Sequence, residues 1–226
     1  MYTLYYYSIC PLSRQVRFFL EELNINYRII CKEHLDQEYT TLNINNCLVS
    51  PLLLVQNQDQ KFLLTGTYSI IEYIADLERV DFFFMPADLQ LKAEIRKYIE
   101  WFNYKFCNDV TKILIYEKII KLFTKQGSPR SNFIHIAKNN LASNLSIIQK
   151  KLNSHSYLIY DKISCADIVA ATHLSIIDYL GDINWDCWPE IAQWYSVIKS
   201  RPGFRPILNE VIKGFLPAKD YKKLDI

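Results

Sequence analysis

Cys10 lies where a predicted strand is followed by a predicted helix, in the sequence Cys10-Pro11-Leu12-Ser13. A helix N-terminus stabilises a thiolate through its free amide groups and its dipole, so the pKa of a cysteine placed there is expected to fall from about 8.5 toward neutrality. Ser13, in the first turn, could donate a further hydrogen bond to the sulfur. Such a thiolate could attack a mixed disulfide. Cys10 and Ser13 are therefore the candidate catalytic residues.

The other cysteines and the histidines are too far apart in the sequence to form a recognisable metal site. The six cysteines (10, 31, 47, 107, 165 and 187) show no close pairing, and the four histidines show no spacing of four residues. Zinc sites usually need such spacings. We therefore expect reduced thiols and no metal.

Composition indicates a globular chain and argues against two classes of partner. Half of the 226 residues are hydrophobic, and 26 basic residues nearly cancel 24 acidic ones, with no basic block. Binding to nucleic acid or to an anionic membrane usually needs such a block. The N-terminus does not resemble a signal peptide, and no run of about 18 uncharged apolar residues follows. We expect a cytoplasmic protein with no nucleic-acid partner and no membrane insertion.

Hydrophobic patterning divides the chain into two parts. Residues 2–7, 27–31, 52–55 and 61–64 read as strands, and residues 13–23 and 67–77 read as helices, which gives the order βαβ and then ββα. From Asp88 onward only helical patterns occur, ending near Phe123, Leu152 and Leu180, with a fourth that begins near Pro189. The predicted domains are residues 1–79 and 88–226, joined by a linker at 80–87.

The segment ISCADIVAATHL carries a helix start signal. Ser164 can cap the helix, and Asp167, three residues later, can accept a hydrogen bond from the amide of the cap residue. This capping box explains the position of Asp167 without a catalytic role. His173, on the same apolar helix, is predicted to be a core residue and not a ligand.

The order of elements and the S-x-x-D cap resemble the cytosolic glutathione S-transferases over the whole length of the chain. The resemblance implies an α+β, thioredoxin-like N-terminal domain followed by an all-α C-terminal domain. It also implies that Ser50-Pro51 holds a cis peptide bond beside the cysteinyl group of glutathione. Gly66 and Thr67 align with the acidic residue and the serine that hold the γ-glutamyl group.

At Gly66 the chain lacks the carboxylate that members of the superfamily use. A charge-assisted hydrogen bond of this kind contributes about 1.5 to 3 kcal/mol, or roughly one to two decades in affinity. Thr67 keeps a hydroxyl that could cap the following helix, whose amides still offer a site for a carboxylate. We expect that no cofactor is required and that glutathione binds weakly if at all.

The helical half shows a more specific resemblance. The strings WFNYKFCNDV, LIYEKIIK, HLSIIDYLGDINW, SRPGFRPIL and KGFLPAKDYKKLDI resemble the FtsZ-localised, glutathione-transferase-like proteins of alphaproteobacteria. This resemblance implies a homodimeric binding module for FtsZ filaments in cell division, not a detoxifying enzyme.

Two enzymatic alternatives stay open. A glutathione-dependent thiol transferase would use Cys10, since CPLS resembles the C-P-x-S start of such enzymes. A transferase that activates glutathione through a hydroxyl would use Tyr6, Tyr7, Ser8 or Ser13, although strand propensity also explains the tyrosine run.

Overall fold

The computed structural model describes residues 1–31, 51–57, 61–77 and 84–225. The chain divides into two compact units: unit 1 comprises Met1–Asp81 together with Pro202–Glu210, and unit 2 comprises Phe82–Arg201 and Val211–Ile226. The predicted linker begins at residue 80, and residues 80–83 lie outside the described residues, so the exact domain boundary stays a prediction.

Unit 1 contains a four-stranded mixed sheet. Its strands are β1 (Tyr2–Tyr6), β2 (Tyr27–Cys31), β3 (Leu52–Gln56) and β4 (Lys61–Thr65), in the spatial order β2-β1-β3-β4. β1 and β2 are parallel, which requires a crossover, and α1 (Pro11–Glu22) supplies it. The other two strand pairs are antiparallel, and α2 (Thr67–Leu77) follows β4. The predicted βαβ–ββα order is confirmed.

The core of unit 1 lies between this sheet and its helices. Leu4 of β1 and Leu53 of β3 are opposite each other and fully buried. Val16 and Leu20, one helical turn apart in α1, and Ile70 of α2 are also buried, as the spacing of apolar residues predicts.

Unit 2 is all helical. A long helix, α3, is built from five consecutive segments, Leu89–Glu100, Trp101–Thr111, Lys112–Ile115, Tyr116–Ile120 and Lys121–Phe123. Asp88 caps it by accepting a hydrogen bond from the amide of Leu91 at 2.7 Å. It is followed by α4 (Ser131–Leu152), α5 (Cys165–Tyr179) and α6 (Pro189–Lys199). The predicted all-α half is confirmed, and no helix among the described residues is long and apolar enough to cross a membrane.

Two features organise the core of unit 2. Every residue of α5 is buried, so this helix lies at the centre of the unit. Trp101–Thr111 and Tyr116–Ile120 of α3 have π-helical hydrogen bonding, which is wider than that of an α-helix. Phe102, Phe106 and Val110, spaced four residues apart in the first of these segments, are fully buried.

A segment from the C-terminal half packs into unit 1. It contains a 3₁₀ turn (Pro202–Phe204) and a short helix, α7 (Arg205–Asn209), which lie against α1. The amide of Gly203 donates to the carboxylate of Glu22 at 3.0 Å. A Cβ atom at Gly203 would lie only 2.7 Å from the carbonyl oxygen of Phe18, so only glycine allows this close approach. The ring of Phe204 packs edge-on against Phe18, 5.7 Å between centroids.

Candidate functional site

Cys10 occupies the N-cap position of α1. Its backbone is extended (φ −92°, ψ 117°), and its carbonyl accepts the first helical hydrogen bond, from the amide of Arg14 at 3.0 Å. Pro11 is the first helical residue, where the missing N–H costs nothing. The residue as a whole is partly exposed, while its sulfur is surrounded by protein atoms. The strand-to-helix placement predicted from the sequence is therefore present.

The surroundings of the sulfur have opposing effects on the Cys10 thiol. Burial raises its pKa, and this effect exceeds that of the hydrogen bonds from the amide and hydroxyl of Ser13 and the amide of Leu12, which lower it. Ser13 itself is fully buried, and its hydroxyl accepts from the amide of Tyr7 at 3.3 Å. The pKa of Cys10 is thus raised, and the expectation of a lowered value is wrong because burial outweighs the helix N-terminus. A catalytic role for Cys10 and Ser13 stays a prediction.

The structure links the predicted ligand-binding residues to the same end of unit 1. The amide of Gly66 donates to the carbonyl of Pro51 at 3.3 Å, and the hydroxyl of Thr67 donates to the carbonyl of Leu12 at 3.3 Å. Pro51, Gly66 and Thr67 are therefore connected to the first turn of α1, beside Cys10. Ser50, and with it the predicted cis bond, lies outside the described residues.

Gly66 and Thr67 differ in detail from the sequence-based expectation. Gly66, not Thr67, precedes the first turn of α2, and its carbonyl accepts from the amide of Ile70 at 3.2 Å. The Thr67 hydroxyl bonds to Leu12 and does not cap α2. Gly66 has φ +87°, a conformation that residues with a Cβ atom rarely adopt. A Cβ at this position would still have room, 3.5 Å from Oγ of Ser69.

A second polar cluster in unit 1 joins residues that are distant in sequence. Tyr6 donates its hydroxyl hydrogen to the carboxylate of Glu210, which also pairs with Arg17, and Arg17 Nη1 donates to the Tyr6 oxygen at 2.9 Å. Burial raises the pKa of Tyr6 to about 12. The Tyr6 proton is thus held inside the protein, which disfavours the hydroxyl mechanism at this residue. Sequence reasoning missed the cluster because 204 residues separate its ends.

Both halves of the chain match protein-family models. The model described as glutathione S-transferase, N-terminal domain, matches residues 4–79, and the one described as glutathione S-transferase, C-terminal domain, matches residues 115–202. The chain belongs to the glutathione S-transferase superfamily. Its sheet order and its all-helical second unit agree with this membership.

Three matches to known proteins extend along the whole length of this superfamily member. FtsZ-localized protein A of Caulobacter vibrioides is 32% identical over 225 residues, which are 99% of this chain and 97% of that protein. The solved structure of FzlA from C. crescentus has a TM-score of 0.93 and covers 100% of this chain and 99% of its own. A structure described as a glutathione S-transferase from Rhodospirillum rubrum F11 is also 32% identical, with a TM-score of 0.90 and full coverage of both chains.

The superfamily member contains the predicted capping box at the start of α5. Asp167 accepts from the amide of Ser164 at 2.8 Å and from its hydroxyl at 2.6 Å. The same carboxylate also accepts from the amide of Leu158 and the indole of Trp194, both at 2.9 Å. Asp167 therefore links the start of α5 to the preceding loop and to α6, and these hydrogen bonds explain its position without a catalytic role.

His173 is fully buried between two polar partners. Its Nδ1 lies 3.1 Å from the hydroxyl of Thr111, and its Nε2 lies 3.1 Å from the side-chain oxygen of Asn103. The Asn103 oxygen can only accept, so Nε2 carries the proton and Nδ1 accepts from Thr111. Burial lowers the pKa of His173 to about 3, and the ring stays neutral. In the described ranges, no cluster of His, Cys, Asp and Glu could hold a metal ion.

Proposed function

We propose that this chain is a glutathione S-transferase-fold binding module that acts with FtsZ in bacterial cell division, in the cytoplasm and as a homodimer. The observation that carries the proposal is the 32% identity with FtsZ-localized protein A, which extends over both units and leaves no large insertion in either chain. The structural similarity to FzlA has the same extent. Two proteins that are 32% identical can share a binding surface even when neither has a catalytic residue.

A weakened glutathione site is the second part of the proposal. Gly66 has no carboxylate to pair with the glutathione amine, although the backbone around it still joins Pro51 and α1. The raised pKa of Cys10 also leaves less thiolate at neutral pH than a catalytic cysteine needs. These features support a scaffold whose purpose no longer depends on glutathione.

A second candidate function is a glutathione-dependent thiol transferase that uses Cys10. The hydrogen bonds to its sulfur from the Ser13 hydroxyl and from two amides favour this candidate, because they would stabilise a thiolate formed during the reaction. The resemblance to the R. rubrum protein described as a glutathione S-transferase adds support.

Co-sedimentation with polymerised FtsZ from the same organism tests the main proposal. The chain should pellet with FtsZ filaments in GTP and stay in the supernatant with unpolymerised FtsZ in GDP. A theta-class glutathione S-transferase, which shares the fold, serves as the control protein. Equal pelleting of the chain and this control would overturn the proposal.

Substitution of Gly66 tests the weakened site. Gly66→Asp would restore a carboxylate, and Gly66→Asn is the matched control with the same backbone strain and no charge. Titration with glutathione, followed by tryptophan fluorescence, should show binding at least about tenfold tighter for the Asp variant than for the Asn variant. Equal affinities would show that the missing carboxylate is not what weakens the site. Low-millimolar or tighter binding by the unmodified chain would favour the transferase.

A further inference from the structure

Positive charge is concentrated in one part of unit 2. From Lys112 to Lys162 the sequence has nine Lys and Arg residues and only two acidic residues, a net charge of +7 in a chain whose total is +2. α4, which is 22 residues long, contains no Asp or Glu. The near-zero net charge of the chain therefore conceals a strongly basic region.

Two buried carboxylates, Glu117 in this region and Asp182 beyond it in the sequence, are already paired with cations of the region. Glu117 pairs with Lys121 and Arg130, and its side chain is 1% exposed. Asp182, equally buried, pairs with both Lys118 and Lys138. Each of these carboxylates already forms two ion pairs, and neither forms an ion pair with any other lysine of the described residues.

Three exposed lysines nearby form no ion pair of this kind with the part of the chain that the structure describes. Lys125 follows the end of α3, and Lys213 and Lys219 belong to the C-terminal segment. No carboxylate of the described residues lies within 4.0 Å of their amino groups; Asp220, which pairs with Lys223, attracts Lys219 over a longer distance. The exposed leucines Leu122 (53%) and Leu216 (80%) lie in the same two segments. We call these three lysines and two leucines the basic patch.

Buried contacts fix the C-terminal segment against the rest of unit 2. The Tyr179 hydroxyl donates to the carbonyl of Phe215 at 2.6 Å and accepts from the amide of Ile212 at 2.9 Å. A Cβ atom at Gly214 would lie 3.3 Å from the Phe123 ring, which brings the segment beside the end of α3. Leu216 is therefore held exposed by an anchored backbone, not by a loose tail.

We propose that the basic patch binds an acidic polypeptide segment that carries at least one apolar side chain. Carboxylates of the segment would pair with Lys125, Lys213 and Lys219, and its apolar side chain would cover Leu122 and Leu216. The inference deepens the proposed function, on which it rests for the identity of the partner: the segment belongs to the FtsZ filament. The positive charge of the three exposed lysines is the argument for an acidic occupant.

A membrane is the less suitable occupant. Interfacial membrane binding uses a helix with a broad continuous apolar face. The basic patch instead offers two leucines from different segments, and one of them, Leu216, is outside any helix. Two separated apolar contacts bordered by cations suit a peptide better than a lipid surface.

The test compares two double variants of the full chain. Lys213→Glu/Lys219→Glu reverses charge in the basic patch, and Lys61→Glu/Lys162→Glu makes the same change at exposed lysines elsewhere. Probes are polymerised FtsZ and a fluorescent peptide of alternating Glu and Leu, with a Gln and Leu peptide as the neutral reference. We expect the patch variant to bind both acidic probes at least about tenfold more weakly, and the control variant to change less than about twofold.

The outcomes separate the inference from the proposed function. Binding of FtsZ by the patch variant at the unmodified level would overturn the inference and leave the function standing. If the unmodified chain does not bind FtsZ, the proposed function is wrong. The peptides then test the basic patch independently, because equal binding of the Glu and Gln peptides would overturn the inference. A loss of binding to phosphatidylglycerol vesicles alone would assign the patch to membranes. A change in sedimentation mass would assign it to self-association, which also overturns the inference.

Discussion

Replacing Asp167 by Asn should strongly destabilise unit 2. The carboxylate is fully buried and accepts four hydrogen bonds, from Leu158, from Trp194 and twice from Ser164. An amide side chain offers one acceptor oxygen instead of two, so two donors lose their acceptor. Hydrogen bonds to a charged group contribute about 1.5 to 3 kcal/mol each, and the expected loss is about 3 kcal/mol or more. For a chain of this length that corresponds to a fall in Tm of about 6 to 12 °C.

Thermal unfolding followed by circular dichroism measures this effect, and Asp161→Asn provides the control. Asp161 is largely exposed, accepts hydrogen bonds from Ser156 and lies 3.9 Å from Nδ1 of His155, so the Tm of this variant should stay within about 2 °C of that of the unmodified chain. Burial raises the pKa of Asp167, against the effect of its four donors. If Asp167→Asn unfolds within about 2 °C of the unmodified chain, the carboxyl is protonated in the fold and the reasoning from an ionised acceptor is refuted.

Three further predictions concern titration. Burial alone would raise the pKa of Glu117, but hydrogen bonds from Lys121 and Arg130 lower it to about 2. The stabilising contribution of Glu117 is therefore present above pH 4.5 and lost as the pH falls toward 2. The stability of Glu117→Gln should fall less steeply with decreasing pH in this window, and an unchanged dependence would contradict the prediction. Because His173 has a pKa of about 3 when folded and 6.5 when unfolded, stability should fall by about 2.3 kcal/mol from pH 6.5 to 4.5. Urea denaturation of His173→Gln should lack this slope, and an equal slope in both proteins would count against a neutral buried ring. Iodoacetamide alkylation of Cys10, followed by mass spectrometry of its peptide, should accelerate only above pH 9.0; half-maximal labelling near pH 7 would be incompatible with the raised pKa.

Local patterns in the sequence were sufficient to predict most of the secondary structure. Helix α2 has its predicted bounds, Thr67–Leu77, and Asp88 caps α3 as expected. The π-helical turns were not predicted. Phe102, Phe106 and Val110 follow one another at steps of four, and this spacing also fits one face of an ordinary α-helix. The apolar pattern therefore does not distinguish the two kinds of helix.

The remaining features depend on contacts between distant residues. Neither Glu210 nor Tyr6 carries any local sign that the two will meet in a buried cluster. Similarly, the position of Cys10 at a helix N-terminus is visible in the sequence, but the burial that raises its pKa is a property of the folded chain. The sign of a pKa shift follows from the larger of two opposing effects, and the sequence indicated only one of them.

The charge distribution shows how the two candidate functions can be independent. The net charge of +2 argued against a basic interaction surface. In α3 and α4, however, Lys and Arg residues outnumber Asp and Glu residues, and α4 has no acidic residue. The residues predicted to bind glutathione, which include Cys10, Pro51 and Gly66, belong to unit 1, whereas every residue of the basic patch belongs to unit 2. A substitution at position 66 therefore changes no residue of the patch. The two proposed properties, weak glutathione binding and binding of an acidic segment, depend on different residues in different units, so each can be tested without altering the other.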